Sequence, residues 1–234
     1  SDISTSQPTP DSIMKLWDEL LKEYDQIVHI PMSAGLSGSC ATAMMLAGED
    51  EYEGKVFVVD NHRISVTQYQ SVKDTMMLAD MGMDGAQIKK CLEETAADSV
   101  IFVTVDTLKY LKKGGRISNL KAAVGTVLQI KPLLKGDPEG KIVCFAQVRG
   151  RKKSIELMAE QYDRYVEHAE CETIGIAHGD CPEDAEALIA LLNRNHPPKN
   201  IINACYEPMT GAHVGPGALA LFFYGKKEFR SATK

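Results

Sequence analysis

The residues able to do chemistry gather in two glycine-rich places. The first is Ile30-Pro31-Met32-Ser33-Ala34-Gly35-Leu36-Ser37-Gly38-Ser39, which lies between an apolar run (27–30) and a helical run (40–47). A turn from strand to helix leaves the first helical N–H groups without intrahelical partners, at the positive end of the dipole. Such a place holds an anion. With Gly38 giving room and the hydroxyls of Ser37 and Ser39 beside it, a carboxylate suits it. The second place is Thr210-Gly211-Ala212-His213-Val214-Gly215-Pro216-Gly217, where flanking glycines clear space around the His213 ring. Arg116 follows Gly114-Gly115, where the backbone can turn sharply and direct a guanidinium inward. Thr5 is a further loop hydroxyl. The same letters also admit covalent chemistry. Gly35 to Ser39 fits the G-x-S-x-G elbow, a strand and a helix flank it, and His213 is available as a base. No acid partner for such a triad stands out, so a serine hydrolase and a binder of an anionic metabolite both remain open.

Other chemistries find little support. His29, His62, His168 and His196 have no metal-ligand spacing with each other or with cysteines, and His178, beside Gly179-Asp180, reads as structural. The six cysteines contain no C-x-x-C pair and several sit in apolar runs, which suggests reduced core thiols in a cytoplasm. No P-loop and no G-x-G-x-x-G is present, so neither nucleotide hydrolysis nor a dinucleotide cofactor is expected, and no metal or cofactor is assigned. A net charge of −6 argues against a non-specific nucleic-acid binder. No apolar run reaches the length of a membrane helix and no signal peptide is visible.

The elements that must position these residues can be read in order. Thr9-Pro10 reads as an N-cap and helix N1 proline. The helix runs to about Tyr24, with a core-facing stripe of Ile13, Leu16, Trp17, Leu20, Leu21 and Tyr24. Strands at 27–30 and 55–59 alternate with helices at 40–47, 66–81 and 84–97, which implies parallel β–α–β packing. In such sheets ligands sit beyond the carboxyl ends of the strands, where the serine loop lies. A third strand is expected at 100–105, then a short helix ending in Lys112-Lys113 and glycine, which suits a helix C-terminus. A small-residue helix follows at 120–128. Residues 130–134 and 142–148 flank the turn Gly136-Asp137-Pro138-Glu139-Gly140 and read as a hairpin. The basic run Arg149-Gly150-Arg151-Lys152-Lys153 reads as a solvated helix start; its charge there opposes the dipole and hints at an anion or a protein partner. A helix at 155–168, strands at 173–177, 200–205 and 219–224, and a helix at 183–195 complete the chain. The expected organisation is two α/β domains, residues 1–97 with a mostly parallel sheet and residues 98–234 as α+β with a mixed sheet.

Five segments, in this order, carry a family resemblance: Thr5-Ser6-Gln7-Pro8, Leu36-Ser37-Gly38-Ser39, Leu108-Lys109-Tyr110-Leu111-Lys112-Lys113-Gly114-Gly115-Arg116-Ile117, Ile130-Lys131-Pro132 and Gly211-Ala212-His213-Val214-Gly215-Pro216-Gly217. Together they resemble the DegV family of bacterial fatty-acid-binding proteins, over nearly the whole chain. The resemblance implies one fatty acid bound between two α/β domains, its acyl chain in a buried apolar tunnel and its carboxylate held by hydroxyls. It implies a non-catalytic carrier that presents the fatty acid to a separate fatty-acid kinase for phospholipid synthesis. On that pattern Thr5 and Ser37 hold the carboxylate, and Arg116 and His213 lie near the head group. Arg149 belongs to the same neighbourhood or to a kinase docking face. Two departures bear on this. Family members carry an additional N-terminal segment, with the first strand of the sheet, before T-S-Q-P; here that motif begins at Thr5, so the expectation is a missing strand that opens a sheet edge or part of the tunnel. Many members are glycine-rich after the second strand, whereas residues 61–69 here are bulkier and would reshape the tunnel.

Overall fold

The computed structural model describes residues 3–117 and 129–225; the helix expected at 120–128 lies outside the described residues. The chain divides into two compact units, Ser6–Ala97 and Ser1–Thr5 with Asp98–Lys234.

The first unit opens with α1 (Pro10–Leu20). The Thr9 side chain accepts the Ser12 N–H and Pro10 occupies the first turn, as the sequence indicates. The helix stops at Leu20, short of the expected Tyr24, and only part of the stripe is core: Ile13 and Trp17 are buried, whereas Leu16, inside the helix, and Tyr24, beyond it, are exposed. Strand β1 (Ile27–His29) and strand β2 (Val56–Val58) pair in parallel through α2 (Ser39–Ala47). Trp17, Cys40, Ala43, Leu46 and Tyr52 form the core against them. Two further helices follow, α3 (Val66–Asp80) and α4 (Gly85–Glu94). Asp84 caps α4 and shares a reciprocal capping box with Gln87.

The second unit is a six-stranded mixed sheet. Its strands are β3 (Ser99–Thr104), β4 (Ile130–Gly136), β5 (Ile142–Arg149), β6 (Thr173–His178), β7 (Asn200–Cys205) and β8 (Leu219–Tyr224), in the order β5-β4-β3-β8-β6-β7. β6 and β7 are parallel and the other pairs antiparallel. The hairpin β4–β5 is the one expected from its glycine–proline turn. Helices α6 (Arg151–Tyr165) and α7 (Pro182–Asn195) supply Ile155, Met158, Tyr162, Ala185, Leu188 and Leu192 to a core shared with Phe102, Leu133, Ile174, Ile176, Leu221 and Phe223. Two short helices, α5 (Lys109–Gly114) and α8 (Pro208–Val214), pack together. α8 replaces the glycine turn expected around His213.

Two cations of the basic run, Arg151 and Lys153, are met by ion pairs. Arg151 Nε donates to Asp184 Oδ2 at 2.8 Å, and Lys153 lies 3.6 Å from Glu156 and 3.5 Å from Glu160. These acids offset cations that the helix dipole disfavours. The six cysteines are free thiols; Cys40 and Cys181 are buried, while Cys171 and Cys205 are exposed.

Candidate functional site

In the first unit the serine loop leaves the carboxyl end of β1 and turns into α2, with Gly38 as N-cap. Gly38 has no side chain with which to cap the helix, and Ser37 does this instead. Its Oγ accepts the Ser39 N–H at 3.2 Å and lies 3.0 Å from Ser39 Oγ. Ser37, Gly38 and Ser39 are therefore one cluster, as their spacing requires. Ser33 folds the loop on itself: its C=O accepts the N–H groups of Leu36 and Ser37, and its Oγ accepts that of Gly35.

A second loop, unassigned from the sequence, holds the serine loop in place. Asp60 Oδ1 accepts the Ala34 N–H at 3.2 Å and the His62 N–H at 3.3 Å, the latter an Asx-type turn with His62 at φ 57°. The Arg63 C=O accepts the Ser33 N–H at 2.9 Å. Arg63 itself is buried and donates to Ser71 Oγ and to the Thr95 C=O, with Asp74 3.8 Å away. A buried guanidinium with these partners is a fixed post rather than a mobile surface charge. Gln7 of the T-S-Q-P segment donates to Thr42 Oγ1 on α2. The signal for Asp60 and Arg63 was available: adjacent parallel strands bring their following loops side by side.

The second unit contains the closest polar contact among the expected site residues. Thr5 Oγ1 and His213 Nε2 are 2.7 Å apart. His213 Nδ1 is buried without a hydrogen-bond partner and faces Gly114, where any Cβ would overlap it. Burial, and then the Arg116 charge, hold the ring's pKa below the usual histidine value. Both facts select one state. A buried orphan N–H is rarer and costlier than an under-used acceptor, so we assign a neutral ring with its proton on Nε2, donated to Thr5 Oγ1. The Thr5 hydroxyl then keeps its own proton to donate elsewhere.

The glycines of the two motifs fit this arrangement. Gly115 at φ 68° ends α5 in the left-handed region, and Gly215 at φ 77° lies where a Cβ would enter the Tyr110 ring. Tyr206 OH donates to the Gly215 C=O. Lys131, of the I-K-P segment, pairs with Asp106 at 2.7 Å.

Arg116 departs from expectation. It is exposed rather than directed inward, and its Nη1 donates to the Gly114 C=O, where a cation meets the negative end of α5. It still acts on His213 through its charge. Arg149 is exposed at the end of β5, opposite Ile130. The structure thus brings Thr5, His213, Arg116 and Gly114 together in one unit, and Ser37, Gly38 and Ser39 in the other. His178 is buried and its Nδ1 accepts the Cys181 N–H, consistent with a structural role.

Comparison with known proteins identifies the family. The model of the uncharacterised protein family DegV matches residues 1–226. A DegV domain-containing protein of Clostridium perfringens is 32% identical over 225 residues, covering 95% of this chain and 77% of its own. Among solved structures, a fatty-acid-binding DegV family protein of Streptococcus agalactiae superposes with a TM-score of 0.84 at 30% identity, over 95% of this chain and 78% of its own. A fatty-acid-binding DegV family protein of Thermus thermophilus gives a TM-score of 0.85 at 28% identity, over 95% and 79%. DegV of Bacillus subtilis, a fatty acid binding protein, gives 0.79 at 28% identity, over 95% and 79%. The chain belongs to the DegV family.

Proposed function

We propose that the chain binds one long-chain fatty acid and presents it to a separate fatty-acid kinase, which phosphorylates the bound carboxylate. The hydroxyls of Thr5 and Ser37 are its hydrogen-bond donors. The observation that carries this reading is the 2.7 Å contact between Thr5 Oγ1 and His213 Nε2; with the ring assigned as neutral and protonated on Nε2, it makes the threonine hydroxyl an aimed donor without placing a cation on the ligand. Gly38 at the start of α2 adds a backbone N–H and Ser39 a second hydroxyl beside Ser37, and Arg116 and Arg149 supply positive charge in the second unit. The relatives from S. agalactiae, T. thermophilus and B. subtilis bind fatty acids.

The energetics suit a carrier. Each buried methylene contributes about 0.8 kcal/mol, so the acyl chain provides the affinity. A head group held by hydroxyls and N–H groups is satisfied yet releasable. No described helix is long and apolar enough to cross a membrane, and we place the protein in the cytoplasm. The hydrolase reading needs an acid partner behind a histidine base; instead His213 Nδ1 has no hydrogen-bond partner and its Nε2 is engaged with Thr5.

Mass spectrometry of organic extracts of the purified protein tests the proposal. A long-chain fatty acid is expected at close to one per chain. Recovery of a phosphorylated metabolite without lipid, or turnover of a chromogenic ester that Ser37→Ala abolishes, would overturn it.

A further inference from the structure

We propose that β7 is a self-association edge, through which two copies of the chain pair antiparallel and join their six-stranded sheets. β7 ends the sheet, and among the described residues no strand pairs with its outer side. From Asn200 to Cys205 it has no charge and no proline, and all of its residues except Ile201 are exposed. Edges of this kind are normally guarded, because their free N–H and C=O groups attract another strand. The opposite edge is guarded: β5 follows Lys141, ends in Arg149, and has a register shift at Leu133/Leu134 in its pairing.

The hydrogen bonds on the inner side show which groups are free. The N–H of Asn200 goes to the Glu172 C=O, and that of Tyr206 to the His178 C=O. Strand residues alternate in direction, so Ile201, Asn203 and Cys205 present their N–H and C=O groups outward. A two-fold axis normal to the sheet pairs only residues of the same face. With the axis at Asn203, Asn203 meets its own copy, Ile201 meets Cys205, and Ile202 meets Ala204. All the outward groups then face outward groups. Continued one step past each end, this register sets Lys199 against Glu207, the N-cap of α8, whose backbone is extended (φ −66°, ψ 158°) and whose carboxylate also accepts from Thr210 Oγ1. A neutral strand with a cation at one end and an acid at the other complements itself when reversed. That charge pattern selects a second copy of this chain over an unrelated strand.

The test is sedimentation equilibrium of the full chain over about 1 to 300 µM at low salt. A dimer is expected, weakened about tenfold by Lys199→Glu or by Glu207→Lys and restored when both are combined, since each single reversal places like charges opposite one another twice. Asn203→Pro, which removes the central outward N–H, should also weaken it about tenfold. Far-UV circular dichroism of every variant checks folding, and the proline variant keeps the test open if a charge variant fails to fold. A monomer throughout, a dimer indifferent to the single reversals, or a double variant no tighter than the singles would overturn the proposal.

Discussion

At the scale of single residues, the proposed binding rests on where one proton sits. Burial and the nearby Arg116 charge lower the His213 pKa, and its Nδ1 tolerates the lack of a partner only as an acceptor, which is why the proton is assigned to Nε2. Thr5 therefore has a proton to give. Thr5→Val keeps the shape and removes the donor, and should weaken fatty-acid affinity roughly tenfold or more, as loss of a hydrogen bond to a charged group does; displacement of a fluorescent fatty acid measures it. Gly114→Ala should lower affinity as well, because the new methyl takes the space of the His213 ring. His213 and Thr5 were both identifiable from the motifs, but their direct contact was not, since they are 208 residues apart. Arg116 is not directed inward, because the left-handed turn at Gly115 returns the side chain to its own helix end.

At the scale of elements, the double-glycine segment and the G-A-H segment are two halves of one packed pair. α5 and α8 approach closely because Gly114 and Gly215 yield space to His213 and Tyr110. Gly215→Ala combines strain at φ 77° with a clash against the Tyr110 ring. It should destabilise the protein by about 1–3 kcal/mol, read by urea unfolding. Helix α8 was hidden in the sequence because it is short, carries Gly211 inside it and runs into Gly215-Pro216-Gly217, where propensity favours a turn. Packing against α5 overrides that preference. The stripe of α1 shows the reverse: Leu16 and Tyr24 have helical spacing, yet the helix ends at Leu20 and both side chains are exposed.

At the scale of the whole molecule, stability should depend on pH through Glu172. Burial pushes its carboxyl up to about 7, while the Tyr224 N–H and the nearby His168 pull the other way and Glu167 and Glu170 add repulsion. The folded state thus binds this proton more tightly than the unfolded state does. The stabilisation is complete below the unfolded value of 4.5 and is lost as pH rises through about 7. Glu172→Gln keeps an acceptor for Tyr224 and cannot ionise. At pH 8 it should raise unfolding free energy by on the order of 1 kcal/mol, allowing for solvent screening, with little effect at pH 4. Urea melts at the two pH values check this.

The sequence by itself determined the local things: the capped starts of α1 and α4, the parallel β1–α2–β2 unit, the β4–β5 hairpin, the cluster of Ser37, Gly38 and Ser39, and membership of the family through five ordered motifs. Each depends on neighbours in the chain, where propensity, capping and periodicity act. Only the tertiary structure decided that the Thr95 C=O anchors the buried Arg63 guanidinium, that Arg151 pairs with Asp184 on α7, and that His213 lies against Thr5. Those contacts join segments whose separation in the chain carries no signal, and they form because buried charges and donors must find partners wherever the fold brings them.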